Sequence, residues 1–329
     1  MTKKDIIIKD LTCWVITEGM AGTENQCLGI AESLGVTPVV KKIKLRFPWK
    51  QLTPILKYSP LYALSNDGDK LEPPWPDLIL ASGRKAITAG WAIKKRNPKK
   101  TFLVQIQDPR TNPALFDLVV VPQHDITRGN NVHVTTCALH LLTPEKLNNE
   151  AQKFSHKLSH LPNERIAILI GGNSKAHQLT KARTKKLITQ LLEFADAGFG
   201  LMVTASRRTG NENMEILQQK LSPHPNIYFW NGDGENPYFG FLGLAHYILV
   251  TNDSVSMTSE AISTGKPVYS IELEGGASRL NNFHQLLQEQ GYTRKFEGQL
   301  EKWTYEPPND TLGVAHAILK RIKHTRNIE

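Results

Sequence analysis

Short apolar runs rich in β-branched residues alternate with helical patterns along almost the whole chain, and this alternation strongly limits the possible folds. Such runs are typical of parallel strands covered by helices on both faces. The predicted strands are residues 13–17, 39–43, 77–81, 101–106, 118–121, 165–170, 200–204, 226–230, 247–250 and 267–271. The predicted helices are residues 23–34, 84–95, 181–197, 212–221, 254–264, 281–290 and 311–323. The pattern predicts an α/β fold built from βαβ units.

The chain has 329 residues, which suits two domains of roughly 150 residues each. A polar, proline-containing stretch at 143–163 separates two series of strands, and its composition suits a helix followed by a linker, so we place the boundary near residue 160. We assign residues 1–160 to an N-terminal domain, 161–310 to a C-terminal domain and 311–329 to a final amphipathic helix. Ligands of two open α/β sheets are expected at the carboxyl ends of the strands, in a cleft between the domains.

The overall charge favours an anionic partner, because 40 Lys and Arg residues oppose 31 Asp and Glu residues. Three cysteines without a C-x-x-C pair indicate neither a disulfide framework nor a cysteine zinc site. No apolar run approaches the roughly 18 residues of a membrane span. The first ten residues do not have the pattern of a signal peptide, so a cytoplasmic location is expected.

Two segments at the predicted carboxyl ends of C-terminal strands are suited to phosphate. Gly171 and Gly172 either let a ligand approach the backbone or only form a tight turn. The second segment offers two hydroxyls and two guanidiniums, which match phosphate oxygens but also suit a solvated turn. Its residues are Ser206, Arg207, Arg208 and Thr209. Walker A and G-x-G-x-x-G patterns are both absent from the sequence.

A third segment, residues 250–268, reads as strand, polar turn, helix and second strand. Asp253 or Ser254 can cap the helix, whose free N–H groups and positive dipole end could then hold a diphosphate. Glu260 lies further along the helix, where its two oxygens could accept hydrogen bonds from a ribose diol. The same residues are also compatible with a purely structural helix cap.

A stretch in the N-terminal half mixes basic and aromatic side chains, as membrane-surface segments do. Its residues are Lys41, Lys42, Lys44, Arg46, Lys50 and Lys57, with Phe47, Trp49, Tyr58 and Tyr62. It predicts either contact with an anionic membrane or an ordinary solvated face. The aromatics match no nucleic-acid-binding module, so nucleic acid is not expected as a partner. Asp67-Gly-Asp69 fits the D-x-D metal pattern formally, but we interpret it as a surface turn.

Several separated segments together resemble a known family. They are Gly22-Thr-Glu-Asn-Gln26, Gln105-Ile-Gln-Asp-Pro-Arg110, Val119-Val-Val-Pro-Gln-His-Asp125, Gly171-Gly172, Ser206-Arg-Arg-Thr209, Asn236-Pro-Tyr238 and residues 252–261. The last segment is similar to the donor-nucleotide motif of GT-B glycosyltransferases. The whole chain resembles the mitochondrial fission family first defined by plant elongated-mitochondria mutants, whose bacterial members are classed with glycosyltransferases.

The resemblance implies a GT-B-like fold of two Rossmann-like domains facing across a cleft, with the C-terminal helix crossing back to the N-terminal domain. It implies a donor site formed by Gly172, Ser206, Arg207, Arg208, Thr209, Asp253, Ser254, Ser256, Met257 and Glu260. Asn231 would lie near the nucleotide base. Neither a cofactor nor a metal is expected, because helix dipole and arginines can offset the charge of a leaving diphosphate.

The same resemblance places the acceptor on the N-terminal domain, near Gly22, Asn25, Gln26 and Arg110. Asn25 and Gln26 could bind sugar hydroxyls or simply cap the helix. An inverting transferase needs a base for the acceptor hydroxyl, and Asp108, His124 and Glu24 are the candidates, in that order. Arg110 could instead pair with Asp108 and make the segment a turn anchor.

The sequence therefore predicts a metal-independent glycosyltransferase that moves a sugar from a nucleotide-sugar donor to an envelope saccharide or a lipid-linked acceptor. It would act in the cytoplasm, at the inner face of a membrane. The alternatives are a non-catalytic membrane-associated adaptor with the same fold and a sugar-nucleotide epimerase. Nothing in the residues indicates the oligomeric state.

Overall fold

The computed structural model describes residues 11–52 and 61–326, which fold as two α/β units. The first unit comprises the chain up to Leu141 and, after an excursion, the chain from Asn309 onward. The second unit comprises Leu142–Pro308. Among the described helices, none combines the length and apolar character that crossing a membrane requires.

The first unit is built on a parallel sheet of six strands. They are β1 (Cys13–Thr17), β2 (Pro38–Lys42), β3 (Leu78–Ser82), β4 (Phe102–Ile106), β5 (Leu118–Pro122) and β6 (Val132–Thr135). Their order is β2-β1-β3-β4-β5-β6, so the direction of winding changes between β1 and β3. Alternate side chains of β3 face the helices α1 (Ala21–Leu34) and α2 (Arg84–Arg96), which cover opposite faces of the sheet.

The second unit has six parallel strands in the order of a Rossmann fold. They are β7 (Arg165–Ile170), β8 (Gly200–Ala205), β9 (Ile227–Trp230), β10 (Tyr247–Thr251), β11 (Val268–Ile271) and β12 (Thr293–Lys295). The order β9-β8-β7-β10-β11-β12 reverses between β7 and β10, which is the topological switch point. Its helices are α3 (Pro144–Ser155), α4 (Lys181–Asp196), α5 (Asn211–Leu221), α6 (Tyr238–Leu244), α7 (Val255–Ile262) and α8 (Ser278–Glu289).

Helix α3 belongs to the second unit because it packs closely against α6. A Cβ atom at Gly240 would lie 2.6 Å from the ring of Phe154, and one at Gly243 would lie 2.6 Å from the carbonyl oxygen of Leu147. The two glycines therefore let the helix backbones approach. This packing places the boundary before residue 142, earlier than the position near residue 160 that the polar composition predicts.

The C-terminal helix α9 (Asp310–Thr325) returns to the first unit and packs on α1. Its side chains Val314 and Ile318 are fully buried in the core of the first unit. At its start, Asp310 accepts hydrogen bonds from the backbone N–H groups of Thr136 and Cys137, at 3.2 and 2.8 Å. At its end, Arg326 donates to the Asp77 carboxylate at 3.2 Å, so both ends are fixed.

We expect Gly243→Ala to lower the free energy of unfolding by about 1–3 kcal/mol, because the added methyl overpacks the contact between α3 and α6. Gly313→Ala is the matched control: it also lies inside a helix, and its Cβ would have nothing closer than 3.9 Å. The control should be neutral or gain up to about 1 kcal/mol of helix propensity. Urea unfolding measures both, and equal effects would contradict the packing argument.

Candidate functional site

The switch point of the second unit brings two of the predicted segments together. Gly171 and Gly172 follow β7, and residues 252–254 follow β10, which is the neighbouring strand in the sheet. Since parallel strands end at the same edge, both loops lie side by side at the place where open α/β sheets bind ligands. Ser206 and Arg207 follow β8 on the other side of β7.

The Asp253 carboxylate joins these three loops. It accepts hydrogen bonds from the Thr251 hydroxyl at 2.6 Å and from the Gly172 N–H at 3.1 Å. It also pairs with the Arg208 guanidinium at 2.6 Å. The Asp253 side chain is fully buried, whereas that of Arg208 is 42% exposed. The charge is therefore neutralised inside the protein, and Asp253 acts as the anchor of the loops.

The two glycines make room for the protein's own atoms. A Cβ atom at Gly171 would overlap the Asp253 carboxylate, and one at Gly172 would overlap the Arg208 carbonyl group. The Thr209 hydroxyl donates to the Gly171 carbonyl, and the Asn173 N–H donates to the Arg208 carbonyl at 2.8 Å. The sequence left two interpretations of Gly171 and Gly172, a ligand approach and a tight turn. The geometry supports the tight turn, because Asp253 and the Arg208 loop occupy the space that side chains would take.

Helix α7 begins with free N–H groups at this edge. The Ser254 hydroxyl caps the helix by accepting from the Met257 N–H at 3.3 Å, so the predicted cap is confirmed. In the described part of the chain, the N–H groups of Val255 and Ser256 donate to no protein acceptor. Residues 254–257 are all partly exposed. An anion could therefore reach the start of the helix.

The two predicted arginines differ in their surroundings. Ser206 caps a short helical turn, its hydroxyl accepting from the Arg208 N–H at 3.2 Å. Arg208 is held by Asp253, whereas Arg207 is exposed and makes no ion pair with any residue in 11–52 or 61–326. Arg207 is thus the guanidinium available to a ligand at this edge.

Glu260 lies on α7, next to the first residue of α6. The Tyr238 hydroxyl donates to its Oε2 atom at 2.6 Å. Burial raises the pKa of Glu260 to about 7, although the hydrogen bond from Tyr238 and the charge of Lys146 act in the opposite direction. Burial and the neighbouring carboxylate raise the pKa of Tyr238 well above its usual value, so Tyr238 stays a donor.

Asn231 does not need a ligand to satisfy its side chain. Its Nδ2 donates to Asp233 at 2.7 Å, and its Oδ1 accepts from the Asp233 N–H at 3.0 Å. The residue is exposed and closes a turn after β9. Its proposed place beside a nucleotide base remains a prediction.

The structure also identifies a support for the loop that sequence reasoning missed. The buried His284 on α8 donates from Nε2 to the Asn252 carbonyl at 2.8 Å, which assigns the proton to Nε2. Asn252 in turn accepts at Oδ1 from the Leu273 N–H at 3.0 Å. Burial lowers the pKa of His284, which keeps it neutral. Asn252 and His284 are 32 positions apart in the sequence, so no local pattern indicates that they are partners.

In the first unit, Asp108 is held in a turn after β4. Its Oδ1 accepts from the Arg110 N–H at 2.8 Å and from the Thr127 hydroxyl at 2.7 Å. Gln107 and Arg110 have positive φ values of 73° and 49°, a backbone conformation that costs energy for residues other than glycine. The bond to Thr127 joins this turn to the loop after β5, which carries the half-buried His124. Asp108 and His124, two of the three candidate bases, therefore lie in adjoining loops.

The other predicted acceptor residues lie on α1, which begins at Ala21. Glu24 pairs with Lys42 at the end of β2, at 3.6 Å. Gly22 is exposed, Asn25 is half-buried and Gln26 is buried. The N-cap residue is Met20, and its side chain makes no capping hydrogen bond. Asn25 and Gln26 lie inside the helix, so neither of them caps it.

A further charged pair lies at the switch point of the first unit and was not singled out from the sequence. Glu18, after β1, pairs with Lys85, near the start of α2, at 2.5 Å. Both follow buried strands, Glu18 after Thr17 and Lys85 after Ser82. Their place within three residues of the strand ends is the signal that could have identified them.

The aromatic–basic patch is defined here as Lys44, Arg46, Phe47, Trp49 and Tyr62. The Arg46 guanidinium lies 5.7 Å from the Trp49 ring centroid and 5.8 Å from that of Tyr62. Phe47 is 75% exposed and Tyr62 is 63% exposed. Two residues of the predicted stretch, Lys57 and Tyr58, lie outside the described residues.

The Asp67-Gly-Asp69 segment is a surface turn, as predicted. The Asp67 carboxylate accepts from the Ser65 hydroxyl at 3.1 Å, and that of Asp69 accepts from the Lys42 N–H at 2.6 Å. The Asp67 carboxylate therefore closes the turn itself, and that of Asp69 holds the turn against the end of β2.

Removing the anchoring carboxylate should destabilise the second unit. We expect Asp253→Ala to lower the free energy of unfolding by about 2–4 kcal/mol, since the buried partners Thr251 and Gly172 lose their acceptor. Asp233→Ala, which removes an exposed carboxylate from a turn of the same unit, should change it by less than about 1 kcal/mol. Chemical denaturation of both variants measures the difference. A loss for Asp253→Ala no larger than that of the control would contradict the anchoring role.

Comparison with known proteins supports the fold. The chain is similar to the UDP-GlcNAc 2-epimerase of Methanocaldococcus jannaschii, with a TM-score of 0.52 at 12% identity. The match covers 94% of this chain and 92% of that one. Together with the strand orders, it confirms the predicted α/β fold of two Rossmann-like units, of the GT-B kind.

Two relatives match almost end to end. The mitochondrial fission protein ELM1 of Arabidopsis thaliana is 27% identical, over 94% of this chain and 90% of its own length. An uncharacterized protein of Rickettsia prowazekii is 28% identical, over 95% of this chain and 99% of its own length. The sequence profile described as Mitochondrial fission ELM1 matches residues 21–322, and the chain therefore belongs to this family, as its motifs predict.

Proposed function

We propose that the second unit binds a nucleotide-sugar and that the protein is a metal-independent glycosyltransferase. The observation that carries the proposal is the start of α7 at the topological switch point, where two N–H groups have no acceptor among the described residues and Asp253 connects the helix start to the loop of Arg207. Such an edge suits a diphosphate, because the helix dipole and the guanidinium both favour negative charge. The name of the structurally similar epimerase, which refers to UDP-GlcNAc, agrees with this ligand class.

The proposed chemistry is displacement at the anomeric carbon of the donor sugar. When the sugar leaves, negative charge grows on the diphosphate, where the α7 N–H groups and Arg207 would stabilise it. Glu260 would accept hydrogen bonds from the ribose, and Asn231 would lie near the base. Ser206, Ser256 and Met257 complete the proposed donor site, with Arg208, Asp253, Gly172 and the fully buried Thr209 shaping it.

The proposed acceptor is an envelope saccharide or a lipid-linked saccharide, held by the first unit. Its hydroxyl would be deprotonated by one of the three candidate bases, Asp108, His124 or Glu24. Gly22, Asn25, Gln26 and Arg110 would surround it. Asp108 keeps Oδ2 for this task, since the two hydrogen bonds described above both reach Oδ1.

Two other functions are each favoured by one similarity. The name of the Arabidopsis relative favours a non-catalytic adaptor, which would bind no nucleotide at the α7 edge. The epimerase fold favours isomerisation of the nucleotide-sugar, which would proceed without any acceptor. Incubation with UDP-GlcNAc alone, followed by product analysis, separates epimerase from transferase. Nucleotide binding separates both from the adaptor.

The binding test is thermal unfolding with UDP, GDP and CMP and with their sugars. At a ligand concentration a hundred times the Kd, the matching nucleotide should stabilise the protein by about 2.7 kcal/mol. Arg207→Ala should weaken binding about tenfold or more, because it removes a guanidinium from the diphosphate. Arg294→Ala, an exposed arginine on β12 of the same unit, is the matched control and should bind normally. Stabilisation by none of the nucleotides, or equal binding by both variants, would contradict the proposed site.

We further propose that the aromatic–basic patch rests on an anionic membrane, which would bring the first unit to a lipid-linked acceptor. Each basic side chain near anionic headgroups contributes about 1 kcal/mol, and exposed aromatic rings insert at the interface. Phe47→Ser with Tyr62→Ser should reduce sedimentation with phosphatidylglycerol vesicles by at least about threefold. Ile126→Ser is the control, because Ile126 is 89% exposed in another loop of the same unit. Equal loss in both proteins, or binding to neutral vesicles alone, would refute the patch.

A further inference from the structure

The segment Asn236-Pro-Tyr238 is part of the family pattern, but the proposed function gives it no role. In the structure it starts α6, with Asn236 Oδ1 accepting from the Tyr238 N–H at 3.0 Å. Pro237 is buried, and its ring restricts the backbone just before the helix. The segment therefore fixes the place from which the Tyr238 side chain extends.

The Tyr238 hydroxyl donates a hydrogen bond to one oxygen of the Glu260 carboxylate. The bond from Oη to Oε2 is 2.6 Å long and joins the first residue of α6 to α7 across 22 residues of sequence. Within residues 11–52 and 61–326, Oε1 of Glu260 accepts no hydrogen bond. One carboxylate oxygen is thus held by the protein, and the other is left for an external donor.

The surroundings of Glu260 oppose its ionised form. Burial is the dominant influence, and it raises the pKa of the carboxyl to about 7. The groups that face it are Tyr238 on α6 and Lys146 on α3, and both favour the carboxylate. The Lys146 ammonium also lies 4.9 Å from the Phe239 ring centroid, next to Tyr238. The tyrosine hydroxyl is therefore one of two groups that stabilise the ionised form of Glu260 against the effect of burial.

We propose that Tyr238 is a positioning residue that orients the Glu260 carboxylate, so that its Oε1 atom accepts hydrogen bonds from the hydroxyls of a ribose. The inference rests on the proposed nucleotide site and deepens it. Two consequences follow. Binding weakens as the pH falls and Glu260 takes up a proton, and a ribonucleotide is preferred to its 2′-deoxy counterpart.

The experiment compares the wild-type protein with Tyr238→Phe, and Tyr228→Phe serves as the matched control on β9. Carbon-13 NMR of the labelled glutamate carboxyls, assigned with Glu260→Gln, follows the titration of Glu260 without any ligand. Calorimetry then measures the Kd of UDP and 2′-deoxy-UDP between pH 6 and pH 8.

In the wild type, UDP should bind about three- to tenfold more weakly at pH 6 than at pH 8, beyond the same ratio in Glu260→Gln, which reports the titration of the terminal phosphate of UDP itself. Tyr238→Phe should raise the pKa of Glu260 by about one unit, since a hydrogen bond to a charged acceptor is lost. The pH profile of UDP binding should move with it, and the preference for UDP over 2′-deoxy-UDP should shrink several-fold. Tyr228→Phe should match the wild type.

The two proposals fail in different ways. If UDP binds but Tyr238→Phe leaves the titration of Glu260 and the ribose preference unchanged, the positioning role is overturned and the nucleotide site stands. If Glu260 titrates as expected but none of the nucleotides binds, the proposed function is overturned, and the ribose role with it.

Discussion

The buried Asp253 carboxylate is the contact on which the candidate site depends. It connects the glycine turn after β7, the arginine turn after β8 and the strand end that leads into α7. A buried charge is costly unless it is paired and fully hydrogen-bonded, and here a hydroxyl, a backbone N–H and a guanidinium meet that need. Because the same carboxylate holds all three loops, the start of α7 is fixed relative to Arg207.

Strand order explains why these loops meet at all. In the second unit the winding reverses between β7 and β10, so the helices after these strands leave on opposite sides and open a crevice at the edge. Gly171 and Gly172 then allow the arginine turn and the Asp253 side chain to occupy the space a side chain would take. Outside this anchor, His284 and Leu273 fix Asn252, and Tyr238 fixes Glu260.

The sequence predicted the strands well because parallel strands are continuous apolar runs, and all ten lie within one residue of their observed ends. It missed β6, β12 and α6, which are short, and α6 begins after a proline and contains two glycines that weaken a helical pattern. The predicted boundary near residue 160 lies too late, because the polar composition indicates the helix α3 but not its packing on α6.

The candidate site was predicted as a set of residue types and strand ends, but not as a set of partners. Ser254 caps α7 as expected, whereas Arg208, expected to face a ligand, is held by Asp253. Gln26 is buried in α1 and Asn231 closes its own turn. Long-range pairs such as Tyr238 with Glu260 depend on how α6 and α7 pack, which local pattern does not encode.

The most direct measurement is a crystal structure of the protein grown with the nucleoside diphosphate that binds most tightly. We expect phosphate oxygens within about 3.2 Å of the N–H groups of Val255 and Ser256, with the Arg207 guanidinium on the same oxygens. We also expect the Asp253 carboxylate to keep its bonds to Gly172 and Arg208. A diphosphate bound elsewhere, or bound only after Asp253 releases Arg208, would show that this edge is not the nucleotide site.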